Sequence, residues 1–327
     1  MRGEKPFGRP RQTRQFMNTS QQQPGTSGSG SKLSRARRIL DPVRSREDWP
    51  RFASEGEKVR RICVLDCETT GLNPAKHQII ELCAAIVLVN EAGFVLAVQS
   101  VMTGLVDPGH PLSSEIVKLT GLTDADLAGG SIASEGLIAL LEYCDGVVAF
   151  NAQFDRPFVE KLIGSHVPVP WGCAMADVPW RGLGFEPGQQ GYLLMQTGYF
   201  MPSAHRAKDD VLALIQVLDH ECADGETIMA KVLAAMDDPA WRFEASTAAY
   251  GYKDDLWDKR YRFAPGRTQK LWHKHVRKAD FREEYGWYRQ TIGKRPVVVP
   301  LPATERYRAD NTWEPTRPKV TTPDWLK

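Results

Sequence analysis

Apolar runs separated by polar turns divide the middle of the chain into five predicted strands. We expect strands at Arg61–Leu65, Gln78–Val89, Gly93–Met102 and Gly146–Phe150, and a fifth strand or extended segment at Val169–Ala176. The first three are expected to be antiparallel. The fourth is almost entirely apolar, which is typical of a strand that is covered on both faces.

Helical patterns lie between and after the later strands. Four helices are expected, at Ser134–Tyr143, Arg156–Gly164, Gly191–Gly198 and Arg206–His220. Pro157 is tolerated only in a first helical turn, so the second of these helices is expected to begin just before it. Three antiparallel strands followed by strands joined through helices predict an α/β domain with a mixed five-stranded sheet flanked by helices. We assign this domain to residues 59–224.

The two flanks of this domain differ from it in composition. Residues 1–58 are polar, basic and rich in Gly, Ser, Gln and Pro, which predicts a disordered arm that either attracts phosphates or solubilises the protein. Residues 225–327 form a predicted C-terminal module with an irregular tail, in which aromatic and basic residues alternate. Such alternation is typical of nucleic-acid contact, but the same aromatics would also form the core of a small α+β module.

The bulk composition is that of an ordinary globular protein of 327 residues, with 42% apolar and 25% charged residues. Its formal net charge of +2 conceals basic flanks around a more acidic centre, which favours a polyanionic partner. The six cysteines form no C-x-x-C pair, so we expect reduced thiols in a reducing, cytoplasmic compartment. The Arg-rich start leaves a mitochondrial transit peptide as the alternative. No apolar run is long enough to span a membrane, and no membrane partner is expected.

Two acidic residues with one residue between them end the first predicted strand. Because alternate side chains of a strand share a face, Asp66 and Glu68 should point the same way and Cys67 into the core. Two carboxylates held side by side repel each other unless a cation neutralises them. Hard oxygen ligands favour Mg²⁺ or Mn²⁺ over Zn²⁺. A solvated turn is the alternative if no partners converge on the pair.

Further candidate residues are expected at the same edge of the sheet. Asp155 follows the fourth strand, where a carboxylate also commonly caps a helix. His205 and Asp210 lie at the start of the last predicted helix. Four acids that converge with a histidine would require a divalent metal ion, since a helix cap explains only one of them.

These residues fall in three motifs that stand in order along the domain. They are D-C-E-T-T-G-L at Asp66–Leu72, N-A-Q-F-D at Asn151–Asp155 and H-R-A-K-D-D at His205–Asp210. With these motifs the chain resembles the DEDDh 3′–5′ exonucleases, the group that includes the epsilon subunit of bacterial DNA polymerase III and ribonuclease T. Ile79–Glu81 and Leu119–Thr123 are similar to further family stretches. The resemblance covers about Arg61–Leu218 and implies a ribonuclease-H-like fold.

The resemblance implies a two-metal mechanism at the matching positions. Asp66, Glu68, Asp155 and Asp210 would hold two Mg²⁺ (or Mn²⁺) ions at the scissile phosphate, and His205 would be the general base that takes the proton of water. All five would therefore be catalytic residues.

The same motifs suggest contacts to the substrate. Thr69 and Leu72 are expected to touch the terminal nucleotide, and Asn151 to orient the substrate or brace the turn that carries Asp155. Phe154 would stack on a base, although a phenylalanine that follows a strand is more often part of the core.

The implied activity is hydrolysis of phosphodiester bonds at single-stranded DNA 3′ ends, with release of nucleoside 5′-monophosphates in a repair or proofreading role. An RNA-trimming exonuclease of the ribonuclease T type is the first alternative. The second is a nucleic-acid-binding, polymerase-associated module with incidental catalysis. A DNA polymerase partner is a family-level expectation rather than a property of any residue.

Overall fold

The structure is a computed structural model that describes residues 38–201, 205–245, 251–265 and 270–309. A five-stranded sheet with helices on both faces forms its centre. The first seven strands are β1 (Asp41–Pro42), β2 (Arg60–Thr69), β3 (Ile79–Val89), β4 (Val95–Leu105), β5 (Gly146–Ala149), β6 (Trp171–Cys173) and β7 (Tyr199–Phe200). The first eight helices are α1 (Ser114–Thr120), α2 (Asp124–Leu127), α3 (Ser134–Tyr143), α4 (Ala152–Ile163), α5 (Ala174–Asp177), α6 (Gln190–Gln196), α7 (Ala207–Leu218) and α8 (Ile228–Asp237).

The central sheet has the strand order β4-β3-β2-β5-β6. β2, β3 and β4 pair antiparallel, whereas β5 pairs parallel with β2 and β6 parallel with β5. This arrangement confirms the predicted mixed five-stranded, ribonuclease-H-like α/β sheet. β2 lies at its middle, so the first motif is carried by the strand with neighbours on both sides.

Side chains of β2 alternate between two hydrophobic layers. Ile62 and Val64 pack with α7 and α8 on one face, while Cys63, Leu65 and Cys67 pack with α3 and α4 on the other. The two layers explain why β2 and β5 are apolar at nearly every position, because both of their faces are covered.

Two element boundaries differ from the sequence pattern. β2 continues to Thr69, so Asp66 and Glu68 lie within the strand, and the register shifts only between Glu68 and Thr69. α4 begins at Ala152 rather than just before Pro157, which places the proline inside the helix. Pro157 is the sixth residue of α4, so the helix lacks the bond that an N–H at this position would make to the carbonyl of Gln153.

The fifth predicted strand is shorter than expected. Only Trp171–Cys173 pairs in the sheet, and the chain turns at once into α5. Trp171 is almost fully buried among the residues of the α4 layer. Three residues are enough to complete the sheet at this edge.

The ordered part of the chain begins earlier than the pattern predicts. The compact unit starts at Ile39, and β1 pairs parallel with β7. Trp49 is only 4% exposed and joins the hydrophobic layer of α7. The Arg44 guanidinium lies 3.5 Å above the Trp49 ring and donates to Asp219 at 2.9 Å. The predicted start of the folded domain at Val59 is therefore too late, because the residues from Ile39 onwards belong to the compact unit. The first 37 residues of the predicted arm lie outside the described residues.

The C-terminal module contains a second sheet. Its elements are β8 (Ala240–Ala245), α9 (Lys253–Asp258), β9 (Arg262–Pro265), β10 (Lys270–Arg277), α10 (Phe281–Ile292) and β11 (Val297–Leu301). The strands are antiparallel in the order β11-β8-β10-β9, and α10 packs on one face. Phe243, Tyr261, Phe281 and Tyr288 are buried there, so many of the aromatics do form the core of the module.

Two boundaries of this module also shift. α8 follows the predicted boundary at residue 225, yet Ile228, Val232 and Met236 belong to the hydrophobic layer of the central sheet. The expected irregular tail contains β11, because its valines cover Phe243 in the module core. Residues beyond Ala309 lie outside the described part of the chain.

Buried charged groups connect the module to the central sheet. Arg156 of α4 is fully buried and donates to the carbonyls of Thr304 and Arg306 at 2.6 Å each. Asp177 at the end of α5 accepts from Arg277 of β10 and from the hydroxyl of Tyr307. Because buried charges are stable only when they are paired, these contacts fix how the module sits on the sheet.

Two expectations on environment can be compared with the described residues. All six cysteines are buried and unpaired. In the described ranges, no helix has both the length and the apolar character that crossing a bilayer requires.

Trp49→Ala tests whether the segment before β2 belongs to the fold. We expect it to lower the free energy of unfolding by about 3–5 kcal/mol, because a buried tryptophan leaves a large cavity. Urea denaturation measures the change. Phe52→Ala is the matched control, since Phe52 is 72% exposed and should change stability by no more than about 0.5 kcal/mol. Equal effects of the two substitutions would contradict the packing of this segment.

Candidate active site

Three carboxylates meet beside the end of β2. Asp66 and Glu68 lie on the face of β2 that α7 covers, and Asp210 is in the first turn of α7. One oxygen from each of the three lies within 4.8 Å of the others, and all three residues are half-buried. Asp66 and Glu68 therefore share a face as predicted, and Asp210 joins them.

The carboxyl groups of this cluster are harder to ionise than ordinary acids. Burial, followed by the charges of Asp155 and Asp210, raises the pKa of Asp66 well above its usual value. Burial, followed by the charges of Asp210 and Glu81, raises the pKa of Glu68 to about 7. Burial also raises the pKa of Asp210. A divalent cation would relieve this repulsion, and the all-oxygen donor set fits Mg²⁺ or Mn²⁺.

Asp155 lies near the cluster but does not join it. It is buried in the first turn of α4, which covers the opposite face of β2. Its Oδ1 accepts a hydrogen bond from the Cys67 thiol at 3.2 Å, and burial raises its pKa to about 7. Asp155 is outside the three residues whose oxygens lie within 4.8 Å of one another, yet its charge is the strongest that acts on Asp66, so the convergence of all four acids stays a prediction. Cys67 is a core residue, as expected, but it also contacts a candidate metal ligand.

His205 contacts the cluster through its backbone. Its N–H donates to Oδ2 of Asp210 at 3.0 Å, and the residue itself is exposed. Its φ angle is 66°, in the left-handed region that non-glycine residues rarely adopt. This backbone turn brings His205 beside Asp210, in agreement with the prediction that both lie at the helix start.

An ion pair that the motifs did not predict holds the start of α7. Glu81 of β3 is buried opposite Glu68, and it accepts from Arg206 at 2.9 Å and from the N–H of Ala207 at 3.2 Å. Arg206 therefore fixes the two residues that flank it, His205 and Ala207, against the sheet. The signal in the sequence was a lone acid within the apolar run of β3.

The turn after β2 exposes an apolar residue. The Thr69 hydroxyl donates to the carbonyl of Gly71 at 2.8 Å, and Leu72 is 84% exposed. A Cβ at Gly71 would lie 2.7 Å from the ring of His77, so only glycine fits there. Leu72 is thus available for the predicted nucleotide contact, whereas the Thr69 side chain shapes the turn.

The second motif contributes the start of α4. Asn151 precedes the helix, and its carbonyl accepts from the N–H groups of Phe154 and Asp155 at 2.7 and 3.2 Å. These are backbone bonds, and the Asn151 side chain makes no capping hydrogen bond, so both of its predicted roles stay predictions. The Phe154 ring lies 5.0 Å from that of Phe158, which favours the core role over base stacking.

Comparison with known proteins agrees with this geometry. The family profile described as Exonuclease (RNase_T) matches residues 63–170, which include the first two motifs. Residues 63–170 therefore match an exonuclease domain, in agreement with the DEDD-type 3′–5′ exonuclease family that the motifs resemble. The motif from His205 to Asp210 lies beyond the matched residues, and the fold brings it to the same site.

The relatives of this exonuclease domain are much longer proteins. The chain is 37% identical over 100 residues to a DNA polymerase III PolC-type from Listeria welshimeri, covering 30% of this chain and 6% of that protein. It is 34% identical over 141 residues to the PolC-type from Lacticaseibacillus paracasei, covering 42% of this chain and 9% of the relative. The chain thus spans less than a tenth of these relatives.

One solved structure illustrates the extent of structural likeness. Exonuclease X in complex with 5′-overhanging duplex DNA aligns with 52% of this chain and 99% of its own, at 20% identity and a TM-score of 0.37. Likeness at this level supports no functional inference, so function rests on the residues of the chain itself.

The raised pKa values predict how stability depends on pH. In EDTA, the free energy of unfolding should fall by several kcal/mol between about pH 4.5 and 7. The folded state holds protons on Glu68 and Asp155 that the unfolded chain has already released, since both pKa values rise to about 7. Mg²⁺ should restore the loss at neutral pH by binding the ionised carboxylates. Urea unfolding across this range, with and without Mg²⁺, measures both effects.

Asp66→Asn provides the matching substitution for that experiment. It should stabilise the protein in EDTA at neutral pH and remove the response to Mg²⁺, because one of three repelling charges is gone. Glu142→Gln, at an exposed position of α3, should change neither. Stability that rises with pH in EDTA, or an unchanged Mg²⁺ response in Asp66→Asn, would contradict the cation site.

Arg206→Gln tests the ion pair at the start of α7. It leaves Glu81 buried without its partner, and we expect a loss of roughly 2 kcal/mol, moderated because the Arg206 side chain is 46% exposed. The double variant Glu81→Gln/Arg206→Gln should recover more than half of this loss. A double-mutant cycle from urea denaturation measures the coupling, and simple additivity would show that the pair is not coupled.

Proposed function

We propose that this protein is a metal-dependent 3′–5′ exonuclease that releases nucleoside 5′-monophosphates from DNA 3′ ends. The observation that carries the proposal is the cluster of Asp66, Glu68 and Asp210, whose oxygens lie within 4.8 Å of one another. Like charges at this separation are unfavourable without a cation, and Asp66 and Glu68 lie within the residues that match an exonuclease family. Its position on the central strand makes the site rigid.

The acids of the chain would hold two Mg²⁺ or Mn²⁺ ions. Asp66, Glu68 and Asp210 present their oxygens to one another, and Asp155, whose charge acts on Asp66, would contribute a fourth carboxylate once it is ionised. When bound, divalent ions supply the positive charge that stabilises the attacking and leaving oxygens of a phosphodiester. Oδ2 of Asp210 accepts a hydrogen bond from the backbone N–H of His205, so the other oxygen of the carboxylate remains available to the cluster.

His205 would act as the general base. An imidazole nitrogen would accept the proton of the attacking water and pass it to solvent, to which the residue is exposed. The ion pair between Arg206 and Glu81 holds the backbone beside it, so the histidine is positioned from a buried anchor. Leu72 would contact the terminal nucleotide through its exposed side chain.

A polymerase-associated role in repair or proofreading is supported by the PolC-type relatives, whose names assign them to DNA polymerase III. An RNA-trimming activity would use the same carboxylates and differs only in the sugar of the substrate. Matched DNA and RNA oligonucleotides of one sequence, compared by kcat/KM, decide between the two. Tight nucleic-acid binding without nucleotide release in Mg²⁺ or Mn²⁺ would favour the binding-module alternative.

A polarity-resolved nuclease assay tests the activity. With Mg²⁺, single strands labelled at the 3′ end should release labelled mononucleotide at once, whereas 5′-labelled strands should shorten stepwise. Asp66→Ala should abolish release, and His205→Ala should reduce kcat by about 10²–10⁴-fold, the usual contribution of a general base.

His110→Ala is the control for that assay, because His110 is exposed in a loop outside the site and should leave kcat unchanged. If Asp66→Ala or His205→Ala released nucleotide at the wild-type rate, the assigned chemistry would be wrong.

A further inference from the structure

A cavity of about 320 Å³ separates the start of α4 from the C-terminal module. Asn151 and Gln153 line it on the side of the central sheet. On the side of the module it is lined by β10 and by Arg260 and Arg262 at the start of β9. The proposed function uses none of the module residues.

The wall formed by the module is basic. Arg262 pairs directly with His273 across β9 and β10, and alternate residues of a strand share a face, so His275 and Arg277 lie on the same side. Arg277 is engaged by Asp177. Arg260 and Arg262 are exposed and form no ion pair with any residue in the described ranges. Two cations therefore face the cavity without neutralisation by any residue that the structure describes.

The backbone at Arg260 is held in an uncommon conformation. Its φ angle is 63°, in the left-handed region, which costs a non-glycine residue about 1 kcal/mol or more. The N–H of Arg260 donates to the carbonyl of Trp257 at 2.8 Å, and this turn directs the chain from α9 into β9. A strained turn that carries an exposed arginine to a cavity indicates a functional constraint on that position.

Exposed aromatic rings border the same edge of the sheet. β9 is an outer strand, and Phe263 on it is 43% exposed, while Trp257 of α9 is 70% exposed. Both rings contact Trp272, with centroids 5.2 and 6.5 Å away. Because Phe263 alternates with Arg262 along β9, its ring lies with Trp272 on the face of the sheet opposite the cavity.

The cavity begins beside the candidate catalytic helix. Asn151 and Gln153 lie in the same first turn as Asp155, and four residues of helix rise span about 6 Å. A chain that entered the cavity from the acid cluster would therefore pass the polar start of α4 before reaching the arginines.

We propose that this cavity is the path of the single-stranded polynucleotide that extends from the 3′ terminus in the active site. Arg260 and Arg262 pair with its phosphates. Charge selects this occupant, since two exposed arginines that form no ion pair within the described ranges match the repeated phosphates of a polynucleotide. The inference rests on the proposed function and deepens it: the enzyme holds its substrate several nucleotides away from the scissile bond.

The double variant Arg260→Gln/Arg262→Gln tests the path by binding. Fluorescence anisotropy with a labelled single strand of about 20 nucleotides is measured in Ca²⁺, which replaces Mg²⁺ to prevent hydrolysis. We expect the affinity to be about tenfold weaker. The slope of log affinity against log salt concentration should be shallower by about 1.4, which is about 0.7 for each lost phosphate contact. Trp257→Ala should leave both the affinity and its salt dependence nearly unchanged, because the Trp257 ring contacts Trp272 on the face of the sheet opposite the cavity.

The matched control is Arg282→Gln/Arg289→Gln. It removes the same charge from the same module, but both residues are exposed on α10, which packs on the opposite face of the sheet. It should change affinity by less than about twofold. Equal losses in the two double variants would show that binding responds only to net charge, and would overturn the path. Tighter binding of a blunt duplex than of the single strand would also overturn it.

Nuclease assays separate this inference from the proposed function. For Arg260→Gln/Arg262→Gln, KM for the long strand should rise about tenfold, and the rise for a dinucleotide should be far smaller. If wild-type protein releases nucleotide from both substrates and the variant matches the control on the long strand, the path is wrong and the exonuclease assignment stands. If wild-type protein cleaves neither substrate, the assignment fails, and the binding measurements still decide whether the strand occupies the cavity.

Discussion

Like-charge repulsion among Asp66, Glu68 and Asp210 is the constraint that the rest of the structure accommodates. Their oxygens lie within 4.8 Å of one another, and burial makes ionisation harder still. An arrangement of this kind persists only where the backbone cannot move away. β2 is held by β3 on one side and β5 on the other, and α7 is held by the ion pair between Arg206 and Glu81. The stability of the surrounding sheet therefore keeps the acids together until a cation neutralises them.

The helix that carries Asp155 depends on contacts with residues that are far away in the sequence. Asp155 is followed by Arg156, which is fully buried and donates to carbonyls near residue 305. Asp177, which follows β6, is held by Arg277 and Tyr307 of the C-terminal module. The module thus supports the helix that carries a candidate metal ligand, and it also forms the wall of the cavity beside it. We infer that the module is a structural part of the nuclease rather than a separate attachment.

Several features followed from local pattern alone. Alternation along β2 placed Asp66 and Glu68 on one face and Cys67 in the core, because the side-chain period of a strand is two. The apolar runs at β3 and β5 marked buried strands, and the order of antiparallel and parallel pairs followed from their connections. The start of α4 was misplaced because Pro157 suggested a helix boundary, whereas packing on the sheet stabilises the turn before it. Trp49 was assigned to a disordered arm because its neighbours are polar, although its own ring supplies enough buried surface to order the segment.

The sequence by itself determined the sheet and identified the acidic residues of the site, since both depend on periodicity and residue type over short stretches. The tertiary structure decided how those acids are distributed. Asp155 lies outside the group of three and contacts Cys67, because α4 packs on the face of β2 that carries the Cys67 side chain. It also decided which aromatics of the module form its core and which stay exposed beside Arg260 and Arg262. Composition reports that aromatic and basic residues alternate, but only strand pairing assigns each of them to a face.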